Sequence, residues 1–335
     1  MTGYSMKHVL ILTRSQDSHT PPVVEGLQHR GVRVSILHTA DFPEAALLNA
    51  QIGHGGWTGS LTYQDQHIPL ESLTSIWRRR PEKYKASGNY TAGEKAFIEE
   101  EADRALIGML ESLVLQETFW VSRTHSVRRA DLKALQLSAA HHVGIRVPQT
   151  LITNDPEAVA DFYEHCQGNV VLKAVAQGTI KDEEEQIERF IYTSQVAKDH
   201  LADLAGVRIT AHFLQEYIPK QIELRVVVIG RQIFAAEIHS QHSERAKIDF
   251  RRGYSDLQYH IHALPNEITA NIFKLVNYFD LQFSSMDLIL TPQGEYVFLD
   301  LNPNGQYYWL QLRLPELHLA EAMADVLASP KEYRL

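Results

Sequence analysis

Two short segments near the C-terminal end carry oxygen donors at a spacing that suits a cation. They are Asp287-Leu288-Ile289 and Asp300-Leu301-Asn302. The turn Thr291-Pro292-Gln293-Gly294 lies between them, so the runs Ser284–Leu290 and Tyr296–Leu301 are expected to be antiparallel neighbours. Side chains alternate along a strand, which puts Asp300 and Asn302 on one face. With Asp287, three oxygens then converge, as Mg²⁺ prefers when phosphate completes its shell. Without a cation, the like charges would raise each other's pKa. The plain alternative is a pair of polar residues bonding a turn.

Two lysines upstream give such a cation site a use. Lys133 lies on a helical segment, Arg129 to Val143, and Lys173 ends the strand-like run Asn169–Ala174, just before Gln177-Gly178-Thr179. A strand-end lysine beside a flexible loop is suited to phosphate oxygens. Alone, each lysine reads as an ordinary surface residue. Gln215-Glu216-Tyr217-Ile218 ends another strand and meets Pro219. Where pairing stops, backbone groups are freed to bond an adenine edge, and flanking apolar residues cover its faces. A bare strand end is the alternative.

These groups need a scaffold that brings distant segments together. Lys7–Thr13, a Pro-started helix from Pro21 to Arg30 and Val32–Leu37 predict a β-α-β opening and a parallel sheet. Gly59–Tyr63 and Gln66–Leu70 read as a hairpin around Gln64-Asp65. A long helix is expected over Thr91–Glu117, then a short strand, Phe119-Trp120-Val121. Asn154 or Asp155 is placed to cap a further helix. Strands are expected within Val207–Ile218, over Glu223–Ile229 and over Gln232–His239, and helices over Ile268–Phe279 and Leu317–Leu327. The domains implied are 6–120, 121–206 and 207–330.

Composition narrows the function. The chain has 335 residues, enough for more than one subdomain. A net charge of -9 argues against a general nucleic-acid binder. No apolar run reaches the roughly 20 residues that span a bilayer. Residues 1–5 read as a tail before Met6, the expected natural start, and no signal peptide precedes the first strand. The single cysteine, Cys166, reads as a passive helix residue and fits a reducing, cytoplasmic compartment. The acidic run Asp182–Glu185 reads as a solvated turn.

The order of these parts, over about Ser122 to Leu327, resembles the ATP-grasp superfamily. The resemblance implies an α/β (α+β) fold: a Rossmann-like pre-ATP-grasp domain, then a central and a C-terminal subdomain that clamp ATP. Carried over by position, Lys133 and Lys173 touch phosphates, and Gln215, Glu216, Tyr217 and Ile218 form the adenine hinge. Glu223 binds the ribose, Arg225 and Arg251 face the γ-phosphate or acyl phosphate, and Asp287, Asp300 and Asn302 hold Mg²⁺. Many members have Glu where this chain has Asp300, one methylene shorter, which makes bridging of two ions harder. Mg²⁺ binding is expected to survive, because Asp remains a hard oxygen ligand.

Within the superfamily, three segments are similar to the macrocyclases of microviridin-type peptides (graspetides). They are Ile76-Trp77-Arg78-Arg79-Arg80-Pro81; Arg129–Gln149 with Lys133, Gln136, Leu137, Gly144, Val147 and Pro148; and Asp300–Trp309. The similarity implies a ligase that phosphorylates Asp or Glu side chains of a ribosomal precursor peptide, leader plus acidic core. It then joins them to Ser or Thr hydroxyls or Lys amines as ω-esters or ω-amides. Guanidinium forks bind carboxylates bidentately, so Arg78, Arg79, Arg80 and Arg252 are candidates to guide the core. Pairing with local acids is the alternative for the first three; Trp309 is a candidate to line the pocket, with plain core as its alternative. The leader is expected on the hairpin and helix of Lys181–Leu204, and a homodimer is implied. A RimK-like amino-acid or peptide ligase, or a nucleotide-gated peptide binder without catalysis, are the competing readings.

Overall fold

The computed structural model describes residues 7–176, 178–182, 187–253 and 257–335. Residues 1–6, with the expected tail and Met6, lie outside them, as do Gln177 and residues 183–185 of the acidic run. The chain opens with β1 (His8–Thr13), α1 (Thr20–His29) and β2 (Arg33–His38). β1 is buried along its whole length, as a central parallel strand must be. Gly31 at φ +69 stops α1, in the left-handed region that favours glycine. A meander follows: β3 (Ala46–Gly53), β4 (Gly56–Tyr63) and β5 (Gln66–Pro69). β4 and β5 are the expected hairpin, and β3 adds a strand that sequence did not signal. β6 (Ser75–Arg78), α2 (Ala92–Ser112) and β7 (Phe119–Val121) complete a parallel sheet of order β2-β1-β6-β7. A capping box fixes the start of α2: Glu94 N–H donates to Thr91 Oγ1 and Thr91 N–H to the Glu94 carboxylate.

The helix expected over Arg129–Val143 is broken. α3 (Thr124–Ala130) ends, and α4 (Lys133–His142) starts anew at Lys133. The central sheet, order β12-β9-β13-β8, uses β8 (Thr150–Thr153), β9 (Val170–Lys173), β12 (Ser194–Gln195) and β13 (His212–Glu216). Asp155 caps α5 (Pro156–His165) by accepting from Glu157 N–H at 3.1 Å. β10 (Thr179–Asp182) and β11 (Ile187–Phe190) form the expected hairpin, but the helix expected after it is two 3₁₀ turns, at Lys198–Ala202 and Ala205–Ile209.

The third sheet, order β16-β15-β14-β17-β18, holds β14 (Ile222–Ile229), β15 (Gln232–Ile238), β16 (Tyr259–Ile261), β17 (Phe283–Leu290) and β18 (Tyr296–Asn302). α6 (Asn266–Tyr278) lies on it, and α7 (Tyr308–Arg313) and α8 (Leu319–Ala328) follow. The sheets do not divide the chain at the boundaries 120, 206 and 330. β13 lies beyond 206 yet pairs with β8 and β9. α3 and α4 lie before it yet share a core with β14, β17 and α6. α8 returns to the first domain, where its Ala324 packs so near Gly26 that a Cβ there would sit 3.0 Å away. Apolar faces find partners by area removed from water, whatever their order in sequence. Among the described residues no helix is long and apolar enough to cross a membrane.

Candidate active site

Alternation on three neighbouring strands builds the site. On β14, Ile222, Leu224, Val226 and Val228 pack in the core with Met286 and Leu288. Glu223 and Arg225 therefore face the other way. Arg225 stands opposite Asp287 in register, and Asp287 stands opposite Asp300. A bulge at Leu299 makes Leu288 pair with Phe298. It flips the parity of β18, so Phe298 and Leu301 enter the core while Asp300 joins the polar row.

Arg225 Nε lies 3.3 Å from Asp287 Oδ1, and Arg225 Nη1 donates to Ser285 Oγ at 3.0 Å. Asp287 Oδ1 is buried and accepts no hydrogen bond among the described residues. Burial pushes the Asp287 carboxyl up, Arg225 opposes this, and Asp300 adds to the rise. A divalent cation would relieve both that burial and that repulsion. Asp300 ion-pairs with Lys133. Asn302 is exposed, and its Oδ1 accepts from Asn304 N–H at 3.2 Å. No third carboxylate or histidine completes a cluster among the described residues. Two carboxylates and one amide, with an orphaned buried oxygen among them, fit a Mg²⁺ whose shell phosphate and water complete.

Lys173 ends β9, as expected. Burial pulls its ammonium down to about 8, while Asp300 and Asp287 pull the other way. Glu216 N–H and Tyr217 N–H are taken by Gln149 O (2.9 Å) and Asn169 O (2.8 Å), but Ile218 N–H makes no backbone bond among the described residues. Ile218 packs with Ile289 and Val297, an apolar floor beside that free donor. Gln215 Oε1 is buried without a hydrogen-bond partner among the described residues. Glu223 is buried and accepts from Lys220 Nζ at 2.9 Å and Ser240 Oγ at 2.6 Å. Burial pushes its carboxyl up, and Lys220 opposes that.

The arginines divide. Arg225 is in the row. Arg251 folds onto Asp249, with Nε 2.8 Å from Oδ1. Arg252 lies over the Tyr192 ring at 5.0 Å, and with Arg245 and Arg251 lines a recess of about 390 Å³. Arg78 and Arg80 are partly buried in the first domain. Arg79 corrects its expectation as a peptide guide, because it is 1% exposed and turned into the protein. Its Nε lies 3.3 Å from Asp17 Oδ2, and its Nη1 donates to Asn304 O (2.9 Å) and Gly305 O (3.1 Å). Of the two readings, pairing with a local acid is the one Arg79 adopts.

Several positioning residues escaped sequence reasoning. Gln136, one residue of the Arg129–Gln149 motif, is 1% exposed and clamps Leu301, between two proposed metal ligands. Its Nε2 donates to Leu301 O at 2.7 Å, and its Oε1 accepts from Leu301 N–H at 3.1 Å. A glutamine on an otherwise apolar helix face was the available signal. Asp17 holds His19 (Nδ1–Oδ1 2.9 Å), and His19 Nε2 accepts from Tyr307 N–H at 3.1 Å. Gly305 leaves no room for a side chain: a Cβ would lie 2.7 Å from Ser285 Cβ and 3.2 Å from Asn302 Cβ. Nothing local in the sequence marks Asp17 and His19, which lie nearly 300 residues from Tyr307.

This geometry agrees with known proteins. Residues 8–128 match the family model of the MvdD pre-ATP grasp domain, and residues 129–326 that of the RimK-like ATP-grasp domain. No curated protein matches the sequence. Among solved structures, the macrocyclase MdnC of Microcystis aeruginosa MRC, bound with precursor peptide MdnA, is 30% identical; the match covers 96% of this chain and 99% of that one at a TM-score of 0.85. Macrocyclase MdnB from the same organism is 31% identical over 96% and 99%, at 0.80. A RiPP-associated ATP-grasp ligase of Chryseobacterium gregarium, in complex with ADP and a leader and core peptide, is 28% identical over 97% of both chains, at 0.88. An ATP-grasp ligase works on MgATP, and the polar row described above suits that cofactor. The chain belongs to the RimK-like ATP-grasp family and is an ATP-grasp ligase fronted by an MvdD pre-ATP grasp domain.

Proposed function

We propose that this ligase closes rings in a ribosomal precursor peptide made of a leader and an acidic core. An Asp or Glu side-chain carboxylate of the core attacks the γ-phosphorus of ATP, giving an acyl phosphate and ADP. A Ser or Thr hydroxyl, or a Lys amine, of the same peptide then attacks the acyl carbon. Phosphate leaves, a proton is released, and an ω-ester or ω-amide crosslink forms. The orphaned Asp287 oxygen in register with both Arg225 and Asp300 is the observation that carries this reading. Similarity to macrocyclases over nearly the whole chain supports the peptide as substrate.

Bound Mg²⁺ would neutralise charge on the transferring phosphoryl group. Asp287, Asp300 and Asn302 would hold it. Lys133 and Lys173 would hold phosphate oxygens, and Lys133 would leave Asp300 to do so. Ile218 N–H would donate to adenine at the hinge of Gln215, Glu216 and Tyr217, and Glu223 would exchange Lys220 or Ser240 for ribose hydroxyls. Arg225 and Arg251 would steady the acyl phosphate. Arg252 and the partly buried Arg78 and Arg80 would face core carboxylates. The hairpin β10–β11 and the turns up to residue 204 would take the leader. Exposed Leu47 and Ile52 on the edge strand β3 support a homodimer, and the lone cysteine supports a cytoplasmic home.

Mass spectrometry after incubation with MgATP and acidic peptides carrying Ser, Thr or Lys tests the reading. Loss of about one water per crosslink, with ADP released, is expected. A gain in mass would instead identify RimK-like addition of amino acids. Unchanged peptide and ATP across such a panel would leave a nucleotide-gated binder.

A further inference from the structure

The pre-ATP grasp domain contains a cavity that the phosphate chemistry does not use. Its volume is about 150 Å³. It sits at the carboxyl ends of parallel strands: Thr39 follows β2, Arg78 ends β6, and Thr124 follows β7. Ligands of open α/β sheets bind in the crevice at that edge. Two polar atoms there are orphaned, since Arg78 Nε and Thr124 Oγ1 are both buried with no hydrogen-bond partner among the described residues. A buried donor left unpaired is costly, so such atoms point to a missing acceptor.

The charges agree. Arg78, Lys83 and Arg128 line the cavity with two acids, Glu82 and Asp103. Glu82 already faces Arg14 at 3.7 Å. Neither Arg78 nor Arg128 forms an ion pair among the described residues. Burial, and then the charge of Arg128, hold the Arg78 guanidinium below its usual range against the opposing pull of Asp131, Asp103 and Glu111, and an anion in the cavity would add to that pull. Asp131 interacts electrostatically with Arg78 on one side and with Lys133 and Asp300 on the other.

We infer that this cavity is a carboxylate-binding site in which Arg78, Arg128 and Thr124 hold an acidic side chain of the peptide substrate while another reacts. The inference rests on the proposed acidic peptide and deepens it, adding Arg128 and Thr124 to the residues that select substrate. Arg78 supplies a fork with two parallel donors, Thr124 a hydroxyl, and Arg128, exposed at the rim, the first attraction. A free dicarboxylate offers the same chemistry, so both sources are distinguished below.

The test is calorimetric titration of the full chain with two probes, succinate and an N-acetylated peptide of alternating Glu and Thr, beside a peptide with Gln for Glu. Arg78→Gln and Arg128→Gln are compared with wild type. Arg128 is exposed, so its variant remains informative if the Arg78 variant fails to fold. We expect the acidic peptide to bind wild type and to weaken about tenfold or more in each variant and in the Gln peptide, a loss of about 1.4 kcal/mol. ADP affinity and melting temperature of the exposed-site variant Arg128→Gln should stay unchanged. Binding of succinate that both variants lose, without binding of the peptide, supports the cavity and overturns only the peptide as its source. Equal affinity of wild type and both variants for either probe, or no binding of either to wild type, overturns the site.

Discussion

Gln136 and Leu301 exchange two hydrogen bonds, so that the amide of a helix side chain stands where a further strand would pair with β18. β18 is the edge of its sheet, and Leu301 lies between Asp300 and Asn302. The helix α4 that carries Gln136 also begins with Lys133, which pairs with Asp300. One helix therefore fixes the backbone of β18 at Leu301 and meets the charge of Asp300. Gln136→Leu is expected to leave one N–H and one C=O of Leu301 unpaired, costing about 2–4 kcal/mol. Urea unfolding checks this; a midpoint equal to wild type would mean that β18 does not depend on the clamp.

Arg79 is the counterpart on the other side of the site. It joins Asp17 to the carbonyls of Asn304 and Gly305, just beyond Asn302. Arg79→Gln leaves Asp17 buried without its cation, and about 3–5 kcal/mol of stability should be lost. Burial pushes the Asp17 carboxyl up, but the His19 hydrogen bond and Arg79 win and hold it well below the usual range. Its stabilisation is thus complete above the unfolded carboxylate pKa and fades progressively as pH falls from there towards the depressed folded value. Wild type should lose more stability than Arg79→Gln on acidification from pH 5 to 3, read from melting curves; parallel losses would refute the pairing.

Gly305→Ala tests the packing behind Asn302. The added methyl meets Ser285 and Asn302, and overpacking of this kind costs about 1–3 kcal/mol. Because Asn302 must shift, the Mg²⁺ concentration for half-maximal ADP release should rise several-fold, with ATP affinity in the absence of metal unaltered. A metal response identical to wild type would show that Asn302 is not held by this contact.

Lys173 gives the site a pH dependence. Burial lowers its pKa to about 8, so between that value and the unfolded one the folded protein holds fewer protons. Its burial cost is therefore full below pH 8 and disappears as pH rises towards the unfolded value. Phosphate binding has the opposite sense, because it needs the cation. ADP affinity without Mg²⁺ should fall by roughly an order of magnitude from pH 7 to pH 9 in wild type, and much less in Lys173→Arg. An equal pH profile for both would remove Lys173 from the phosphate site.

Much of this was legible in the sequence because the signals were local. The β-α-β opening, the turn at Thr291–Gly294 and the strand end at Lys173 all follow from period, glycine and proline. The strands that carry Asp287 and Asp300 are antiparallel neighbours, as the turn between them led one to expect. The bulge at Leu299 was not foreseen, since simple alternation would have sent Phe298 to the polar face beside Asp300. The break between α3 and α4 lacked a glycine or proline to announce it. Arg79 was misread because an arginine beside two others looks solvent-facing; only its acid, Asp17, explains its burial, and that pairing spans 62 residues of sequence. Long-range pairing was equally out of reach, as β13 and α8 complete sheets and cores begun far upstream.

The most direct test of the polar row is the rate of ADP release by Asp300→Asn, with MgATP and an acidic peptide that the wild type crosslinks. Losing a carboxylate ligand removes several kcal/mol of charge stabilisation from phosphoryl transfer, and the rate should fall about a thousandfold. The fold should persist, since Gln136 still holds Leu301. ADP release at a rate near wild type would contradict the assignment of Asp287, Asp300 and Asn302 as the metal grip.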